Sequence, residues 1–407
     1  MSDLKILLLI PNLGRGGAQH VFRQQLQSFS IYYHVVGCVY NWDGAFDKDK
    51  TTDIISLEVP AGSTWLHKLY YFILRVIRLR KLKKENGIDV SISHLEGADY
   101  VNLLSSSTDK VVFWIHGTKK HDGNIEGHLG ILRRKILIPF LYKKAYKIVT
   151  VSKGIADELA KDYPSLKSKL LIIYNGFDVE KIVAKSNESI EDEFSIIFQQ
   201  SKIIITHCRL SRQKNLKALL HIFNYCSNSD RVKLVIVGDG ELREELLSFC
   251  KSIGINYWAI WENELVNTDA DVYFIGQQAN PFKFLRHSSI YVMTSDWEGF
   301  PLALCEAMVC GLPVMAADCF TGPREIIAPE MSLSQPLKFP YSNNFGVIMP
   351  LASNPDALQL WVNEMDKFIS EVHSRPRDIT IGINRIRDFD LSKSIRQTFN
   401  LLRLIPR

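Results

Sequence analysis

Two glutamates, Glu298 and Glu306, lie in a segment that could bind a charged sugar derivative. The segment 295–313 reads S-D-W-E-G-F-P-L-A-L-C-E-A-M-V-C-G-L-P, with seven residues between the two carboxylates. Backbone N–H groups at Gly299 and Phe300 would offer a place for an anion at a helix N-terminus. A sugar joined to a diphosphate suits this combination. The alternative is a helix with a solvated glutamate on its outer face.

The surrounding residues predict a strand, a short loop and a helix. The apolar run 290–293 is typical of a buried parallel strand. Pro301 suits the first turn of a helix, where its missing N–H would be unpaired anyway. Apolar residues then recur at helical spacing until Gly311 and Pro313 end the helix. Both glutamates are therefore expected at the carboxyl edge of a parallel sheet, where such sheets bind ligands.

Two cations follow another predicted strand, 203–207. Arg209 and Lys214 bracket the turn into a helix that begins near Asn215. Two positive charges beside a helix N-terminus suit a diphosphate, whose charge they would neutralise as it departs.

His116 follows a third predicted strand, 111–115. The end of a strand is a natural crevice position, where a histidine can hydrogen-bond a sugar hydroxyl or take part in proton transfer. A structural role is the alternative reading. The sequence leaves these possibilities open.

Gly16 and Gly17 lie between the apolar run 4–10 and a predicted amphipathic helix, as in a nucleotide-binding fold. The glycines would let a phosphate or sugar approach the backbone, or simply form a tight turn. Gln19 stands where a dinucleotide fingerprint has its third glycine, which argues against an NAD-dependent oxidoreductase.

Asp269 and Asp271 form a D-x-D pair that could hold a divalent cation on a nucleotide sugar. The pair precedes the predicted strand 272–275 and is therefore at the wrong end of that strand for the crevice. We predict no metal site.

Composition limits the class of protein. The 407 residues are 46% hydrophobic, enough for two or three domains. No apolar run reaches the roughly 18 residues of a membrane span, and residues 1–9 do not resemble a secretory signal. The seven cysteines are scattered singly, which favours reduced thiols in the cytoplasm and argues against structural zinc.

Positive charge is concentrated in the first half of the chain. Residues 1–181 carry 26 Lys and Arg against 18 Asp and Glu, a net charge of +8, whereas the remainder carries −3. Much of this charge lies in two predicted basic helices, 66–84 and 133–147. We expect them to contact an anionic membrane surface. Ordinary core-packing helices with charged outer faces are the alternative.

Alternating strands and helices predict an α/β fold with two doubly wound, Rossmann-like domains facing each other across a cleft. The first should cover 1–184, joined by a C-terminal helix, 387–407, that crosses back to it. The second should cover 185–386, with a polar linker at 185–193.

Six segments in chain order resemble the retaining nucleotide-sugar glycosyltransferases of family 4. They are Gly16-Gly17, H-C-R-L-S-R-Q-K-N, G-D-G-E-L-R, N-P-F-K-F, E-G-F-P-L-A-L-C-E-A-M and G-P-R-E-I-I. The resemblance implies the GT-B fold, with the donor held mainly by the second domain and the acceptor by the first. It also implies a UDP or GDP sugar as donor and no metal or other cofactor.

The resemblance also implies roles for the residues singled out above. Arg209 and Lys214 would grip the donor diphosphate, Glu306 the ribose hydroxyls and Glu298 the transferred sugar, as a ligand more than a nucleophile. Further contacts would come from His116 to the sugar and from backbone groups at Gly16, Gly17, Gly299, Phe300, Pro301 and Leu302.

The implied acceptors are lipid-linked or polysaccharide hydroxyls in surface glycan assembly, such as lipopolysaccharide or O-antigen, and the implied location is the inner membrane face. Gln19 departs from the resemblance, since many family members carry Glu there. Two alternatives remain open: another GT-B enzyme, such as a phosphorylase or nucleotide-sugar epimerase, or a non-catalytic glycan-binding scaffold.

Overall fold

The computed structural model describes residues 4–14, 16–42, 54–120, 127–200, 202–226, 232–262, 265–333, 335–374 and 378–404. The chain forms two compact units. The first contains residues 1–175 and 392–407, and the second contains residues 176–391.

The first unit is built on a parallel sheet with the strand order β3-β2-β1-β4-β5-β6-β7. Its described strands are β1 (Lys5–Ile10), β2 (His34–Val39), β3 (Ile54–Ser56), β4 (Val90–His94), β5 (Lys110–Ile115), β6 (Lys147–Thr150) and β7 (Leu170–Ile172). Five consecutive residues of β1, from Ile6 to Ile10, are fully buried. A continuous apolar strand is expected where helices cover both faces of a sheet.

Helices connect these strands. They are α1 (Gly17–Ser30), α2 (Trp65–Asn86), α3 (Glu96–Leu104), α4 (Gly127–Leu132), α5 (Ile138–Tyr142) and α6 (Lys153–Asp162), with a π-helical stretch, Arg133–Leu137, between α4 and α5. Connections between neighbouring parallel strands are right-handed. The connection from β1 to β2 leads towards one edge of the sheet, whereas the connection from β3 to β4 leads towards the other edge. Hence α1 lies on one face, and α2 and α3 lie together on the other.

A buried ion pair anchors the end of α2. Lys83 Nζ lies 2.8 Å from Asp109 Oδ2, and both side chains are fully buried. The ammonium also donates to the Ser91 hydroxyl and to the Asn102 carbonyl oxygen. Lys83 therefore belongs to the interior and not to the basic face that we predicted for 66–84.

The second unit contains a larger sheet, in the order β10-β11-β9-β8-β12-β13-β15-β14. Its described strands are β8 (Lys202–His207), β9 (Val232–Val237), β10 (Tyr257–Ala259), β11 (Val272–Phe274), β12 (Ile290–Met293), β13 (Val314–Ala317), β14 (Tyr341–Asn343) and β15 (Gly346–Met349). All neighbouring pairs are parallel except β14 with β15. The strand order reverses at β8, between β9 and β12, and such switch points form ligand crevices.

The helices of the second unit complete the doubly wound fold. They are α7 (Val179–Ser186), α8 (Asp192–Gln200), α9 (Leu216–Tyr225), α10 (Arg243–Ser252), α11 (Phe282–Arg286), α12 (Leu302–Val309), α13 (Pro323–Ile327), α14 (Leu358–Ser374) and α15 (Ile379–Ile386). The predicted linker 185–193 is shorter in the structure, where residues 187–191 lie between two helices. Its first two residues end α7 and its last two begin α8, so the predicted boundary after residue 184 falls inside a helix.

The last helix, α16 (Leu391–Arg403), returns to the first unit. The Phe399 ring packs against Phe29, Tyr32 and Tyr33 at the end of α1, with ring centroids 5.1–5.8 Å apart. In addition, the Tyr146 hydroxyl donates to the Leu404 carbonyl oxygen. Among the described residues, no helix has the length and apolar character needed to cross a membrane.

Candidate active site

Glu298 lies in the loop between β12 and α12, where its carboxylate is held by two side chains from another loop. Lys214 Nζ lies 2.5 Å from Oε1, and Gln213 Nε2 donates to Oε2 at 3.2 Å. The Glu298 side chain is only 7% exposed. A lysine and a glutamate that follow two adjacent strands, β8 and β12, are thus brought into contact.

A tight turn after β8 positions Lys214. A 3₁₀ turn, Arg212–Lys214, leads into Asn215, whose φ of 47° is left-handed. The Thr294 hydroxyl hydrogen-bonds the carbonyl oxygens of Lys214 and Asn215, so the loops after β8 and β12 hold each other. Burial opposes the positive charge of Lys214, but the Glu298 carboxylate outweighs this effect and raises the pKa of the lysine. The ammonium is charged at neutral pH.

A third loop supports the backbone around Glu298. The Thr321 hydroxyl donates to the Glu298 carbonyl oxygen. Gly322 has a φ of 88°, and a Cβ there would lie 2.4 Å from Pro301 Cδ, so only glycine fits. Arg324 in α13 is buried and pairs with Asp318 at 2.5 Å. The segment G-P-R-E-I-I therefore packs against the loop of Glu298.

Glu306 lies in the second turn of α12, as its spacing predicted. Its Oε2 is 3.7 Å from Nδ1 of His207, the last residue of β8. Pro301 precedes the helix and has no N–H group, so it cannot supply the backbone donor that we expected from it. Gly299, Phe300 and Leu302 do carry one.

Arg209 is separate from the Lys214–Glu298 pair in its contacts. Its side chain is 63% exposed and forms an ion pair with Glu241, at 3.0 Å. Glu241 follows β9 in the G-D-G-E-L-R segment. Gly238 of that segment has a φ of 140°, and a Cβ there would collide with the Cys208 carbonyl oxygen at 1.8 Å. This glycine permits close approach of the loops after β8 and β9.

His116 follows β5 in the first unit and is half-buried. Its Nε2 lies 2.8 Å from Nδ1 of His94, the last residue of β4. Burial, with a smaller effect from the nearby Lys119 ammonium, lowers the pKa of His116 to about 3. The imidazole is therefore neutral at neutral pH.

Gly16 and Gly17 begin α1 in the first unit. Gly16 has a φ of −175°, an extended conformation that any residue can adopt. A Cβ on Gly16 would lie 2.6 Å from Oε1 of Gln19, which is the end of a flexible side chain. The structure thus shows space at Gly16, without a backbone conformation that requires glycine.

Asp271 of the D-x-D pair forms an ion pair with Lys233, at 3.3 Å. The described part of the chain contains no group of three or more His, Cys, Asp or Glu side chains placed to hold a metal ion.

Two family models match the chain. The one described as Glycosyltransferase Family 4 matches residues 15–181, and the one described as Glycosyl transferases group 1 matches residues 187–333. The Anabaena protein HepE, solved in complex with UDP-glucose, has a similar structure, with a TM-score of 0.73 over 98% of this chain and 99% of that chain at 18% identity. The chain belongs to the GT-B glycosyltransferases. The expected fold of two Rossmann-like α/β domains is confirmed.

Relatives of this glycosyltransferase come from both archaea and bacteria. It is 29% identical to an uncharacterized glycosyltransferase, MJ1059, of Methanocaldococcus jannaschii, over 87% of this chain and 88% of that protein. It is 26% identical to the N-acetylgalactosamine-N,N'-diacetylbacillosaminyl-diphospho-undecaprenol 4-alpha-N-acetylgalactosaminyltransferase of Campylobacter jejuni, over 80% of this chain and 84% of that protein.

Sequence reasoning missed several residues of this glycosyltransferase that contact the predicted site residues, among them His94, His207 and Glu241. His94 and His207 are the last residues of apolar strands, so their positions at strand ends were a usable signal. Glu241 lay in a segment that we noted for its glycines. Glu241 and Arg209 are 32 residues apart in the sequence, so no local pattern predicts their contact.

Proposed function

We propose that this GT-B glycosyltransferase transfers a sugar, with retention of anomeric configuration, from a UDP or GDP sugar to a hydroxyl of a lipid-linked or polysaccharide acceptor. The observation that carries the proposal is the Lys214–Glu298 pair at the carboxyl edge of the second sheet. A charged ammonium beside a carboxylate suits a ligand that joins a diphosphate to a polyhydroxylated sugar.

The donor would be bound by the second unit. Lys214 and Arg209 would neutralise the diphosphate, Glu306 would accept hydrogen bonds from the ribose hydroxyls, and Glu298 would accept them from the sugar. Arg209 pairs with Glu241 in the structure. Such an exposed ion pair contributes little free energy, about 0–1 kcal/mol, so a diphosphate can readily replace the Glu241 carboxylate.

The reaction would break the bond between the anomeric carbon and the diphosphate oxygen. The departing diphosphate takes the electron pair, and its added charge is neutralised by Lys214 and Arg209. The acceptor oxygen forms its bond on the same face of the sugar and loses its proton to the leaving phosphate. Glu298 serves as a sugar ligand. No metal ion or other cofactor enters this route.

An acceptor-dependent assay tests the proposal. Purified protein is incubated with UDP and GDP sugars, with and without lipid-linked saccharides, and the anomeric configuration of the product is read by NMR. We expect nucleotide sugar to be consumed only with an acceptor, and the product to keep the donor configuration. Phosphate-dependent cleavage would indicate a phosphorylase, acceptor-free conversion of the sugar would indicate an epimerase, and an inverted product would refute retention.

We propose that the protein reaches a lipid-linked acceptor by binding the anionic inner surface of the cytoplasmic membrane through α2. Five of the six largely exposed apolar residues of α2 recur at helical spacing: Leu66, Leu69, Tyr70, Ile73 and Ile77. We call this set the apolar stripe. The opposite face of α2 packs on the core through Phe72, Leu74, Val76 and Leu79. The apolar stripe is therefore not part of the core of the unit.

Exposed cations lie on the same face of α2, C-terminal to the apolar stripe. Arg80, Lys81 and Lys84 are exposed at the next positions of the helical repeat. Arg75 and Arg78 donate instead to backbone carbonyl oxygens of 57–60. Lys81 lies 3.7 Å from Glu85, in an exposed pair that contributes little free energy. Arg80, Lys81 and Lys84 thus remain for lipid headgroups, each contributing about 1 kcal/mol near an anionic surface.

The apolar stripe begins at the edge of the sheet where His116 lies. Because α2 follows β3 and precedes β4 in a parallel sheet, its N-terminus is at the carboxyl edge. A bilayer that contacts the stripe would present lipid-linked saccharides at this edge. The Campylobacter relative is named for a diphospho-undecaprenol acceptor, which agrees with this proposal.

The second predicted basic helix, 133–147, is shorter in the structure, where α5 ends at Tyr142 and Lys147 begins β6, but it offers similar chemistry. Ile136 and Phe140 are 55% and 60% exposed, and Lys135, Lys143 and Lys144 are exposed beside them. Lys144 Nζ lies 4.4 Å from the centroid of the Phe140 ring. We propose this segment as a second, smaller contact with the same membrane surface.

Vesicle flotation tests the membrane proposal. We expect the protein to float with phosphatidylglycerol-containing vesicles and to remain behind with pure phosphatidylcholine. Leu69→Asp/Ile73→Asp and Arg80→Glu/Lys84→Glu should each reduce binding at least tenfold. Lys393→Glu/Arg396→Glu makes the same charge change on exposed positions of α16 and should bind normally. Vesicle binding that is unchanged in the α2 variants, or an apolar stripe that instead mediates dimers in gel filtration, would refute the proposal.

A further inference from the structure

The pair His94 and His116 joins the ends of two neighbouring strands, β4 and β5, in the first unit. His94 is fully buried. Its ring lies between Phe22, in an edge contact at 5.7 Å, and Trp114, stacked at 6.0 Å. The only side-chain hydrogen bond of His94 among the described residues joins its Nδ1 to Nε2 of His116, at 2.8 Å. This bond restricts which nitrogen of His116 can carry the proton.

Two neutral imidazoles share one hydrogen bond in one of two ways. Either His94 Nδ1–H donates to a bare Nε2 of His116, or His116 Nε2–H donates to a bare Nδ1 of His94. Burial lowers the pKa of both rings, with a smaller effect from His116 on His94 and from the Lys119 ammonium on His116, so both rings are neutral. A neutral imidazole carries one N–H, and the other nitrogen is an acceptor.

The surroundings of His94 Nε2 distinguish these two arrangements. That nitrogen is buried and has no hydrogen-bond partner among the described residues. In the second arrangement it would be a buried N–H without an acceptor, whereas in the first it is a bare lone pair. Orphaned buried donors are rarer in folded proteins than unsatisfied acceptors. His94 therefore donates through Nδ1, and His116 carries its proton on Nδ1.

The position of His94 is itself held by its neighbours. Leu95, the next residue, has a φ of 74° and a ψ of 144°, an unfavourable conformation for a branched side chain. Such backbone strain persists where the surrounding structure over-determines it, commonly at functional sites. The Leu95 carbonyl oxygen accepts the first backbone hydrogen bonds of α3, from Ala98 and Asp99. The strained residue thus joins His94 rigidly to a helix.

The charged groups near His116 are paired with each other. Lys119, in the same loop, forms a buried ion pair with Glu96 of α3, at 2.9 Å. Asp99 of α3 accepts a hydrogen bond from Ser93 and one from Tyr142. In the described chain these carboxylates make no hydrogen bond to His116. His94 is thus the group in direct contact with the imidazole.

We propose that His94 is a positioning residue that holds His116 as the neutral Nδ1–H tautomer, so that His116 donates a hydrogen bond to a substrate oxygen and does not act as a base. Nδ1 of His116 has no hydrogen-bond partner in the described chain, and the residue is only half-buried. A neutral imidazole N–H is an effective donor to a hydroxyl or phosphoryl oxygen. The functional part of this inference rests on the proposed glycosyl transfer, whereas the tautomer does not.

The tautomer can be measured without a substrate. In protein labelled with ¹⁵N-histidine, two-bond ¹H–¹⁵N spectra identify the protonated nitrogen of His116, whose signals are assigned by their loss in His116→Asn. We expect a protonated Nδ1 and a bare Nε2. In His94→Phe, Nε2 loses its donor and the signals should move towards the other tautomer. His94→Asn, whose amide can replace Nδ1–H, should preserve the wild-type pattern.

His221→Asn is a matched control, because His221 also has a buried ring nitrogen without a partner, but in the second unit. It should leave the His116 signals unchanged. A wild-type His116 protonated at Nε2, or a pattern unaltered in His94→Phe, would overturn the assignment. The wild-type spectrum alone is decisive if His94→Phe does not fold.

Kinetics test the positioning role separately. With a donor and acceptor that the wild type turns over, His94→Phe should lower kcat by about 10–100-fold, the usual effect of removing a group that orients a functional residue. The KM for the nucleotide sugar should change less, and His94→Asn should recover most of the rate. A changed tautomer with unchanged kcat would refute the positioning role. If the wild type turns over no nucleotide sugar, the proposed function fails while the tautomer assignment stands.

Discussion

Lys214 and Glu298 are the residues on which the proposed donor site depends most. Each carries a charge in a largely buried position, and the two charges lie 2.5 Å apart. Removal of one partner leaves the other without a counter-charge, which is far more unfavourable than removal of both. Stability and activity should therefore respond differently to single and double substitutions.

We predict that Lys214→Met lowers the free energy of unfolding by about 3 kcal/mol, because the Glu298 carboxylate remains buried without its cation. The double variant Lys214→Met/Glu298→Gln should recover at least half of this loss, since no unpaired charge remains. Urea denaturation measures both values. Transfer activity should be lost in both variants. Additive losses of stability would show that the pair is not coupled.

A second prediction at the residue scale concerns pH. Burial lowers the pKa of His116 to about 3 and that of His94 well below its usual 6.5. As pH falls below 6.5, the unfolded chain therefore takes up protons that the folded protein does not, and folding weakens. Each such histidine contributes a slope of about 1.4 kcal/mol per pH unit.

Between pH 6 and 4.5, the free energy of unfolding should depend less steeply on pH in His94→Asn than in the wild type, by one such slope. Urea denaturation at a series of pH values measures it. Burial raises the pKa of Asp99 to about 8, so stability falls as pH rises between roughly 4 and 8 from that group. Asp99 is present in both proteins, so its effect cancels in the comparison. Parallel stability profiles for wild type and variant would contradict the assignment of a neutral His94.

At the scale of elements, the strands and loops of the site were more predictable than the side-chain contacts. The segment 290–313 contains its own strand, loop and helix signals, and β12 and α12 occur there. Helices α7 and α8 were missed because their polar residues obscured the helical spacing, and tertiary packing decides their structure.

Helix α2 shows why a charge pattern alone misassigns residues. Lys83 and Lys84 are adjacent in a basic run, yet Lys83 is buried beside Asp109 and Lys84 is exposed. The partner is 26 residues away, so no sequence window reveals it. Burial lowers the pKa of Lys83 to about 8, although Asp109 partly opposes this effect.

We predict that Lys83→Ala destabilises the protein by about 3–5 kcal/mol, because Asp109 and the Asn102 carbonyl oxygen lose a buried partner. Lys84→Ala is the matched control and should change the free energy of unfolding by less than about 0.5 kcal/mol. Thermal and urea denaturation compare the two variants. Equal effects of the two substitutions would contradict the burial of Lys83.

At the scale of the whole molecule, alternating apolar runs and helical periods were sufficient to predict two Rossmann-like units. The excess of positive charge was also visible in the sequence of the first half of the chain. In the structure α16 belongs to the first unit. The sequence could not give the contacts of His94, His207 and Glu241, because each joins residues that are far apart in the chain and become neighbours only in the folded unit.

Equilibrium thermal unfolding with nucleotide sugars tests the central claim most directly. A donor at 100 times its dissociation constant should stabilise the protein by about 2.7 kcal/mol. We predict stabilisation by one UDP or GDP sugar, greatly reduced in Arg209→Ala and retained in Lys217→Ala, which removes an exposed cation paired with Glu245 in the second unit. The account would be contradicted by a protein that no nucleotide sugar stabilises, or by full stabilisation of Arg209→Ala.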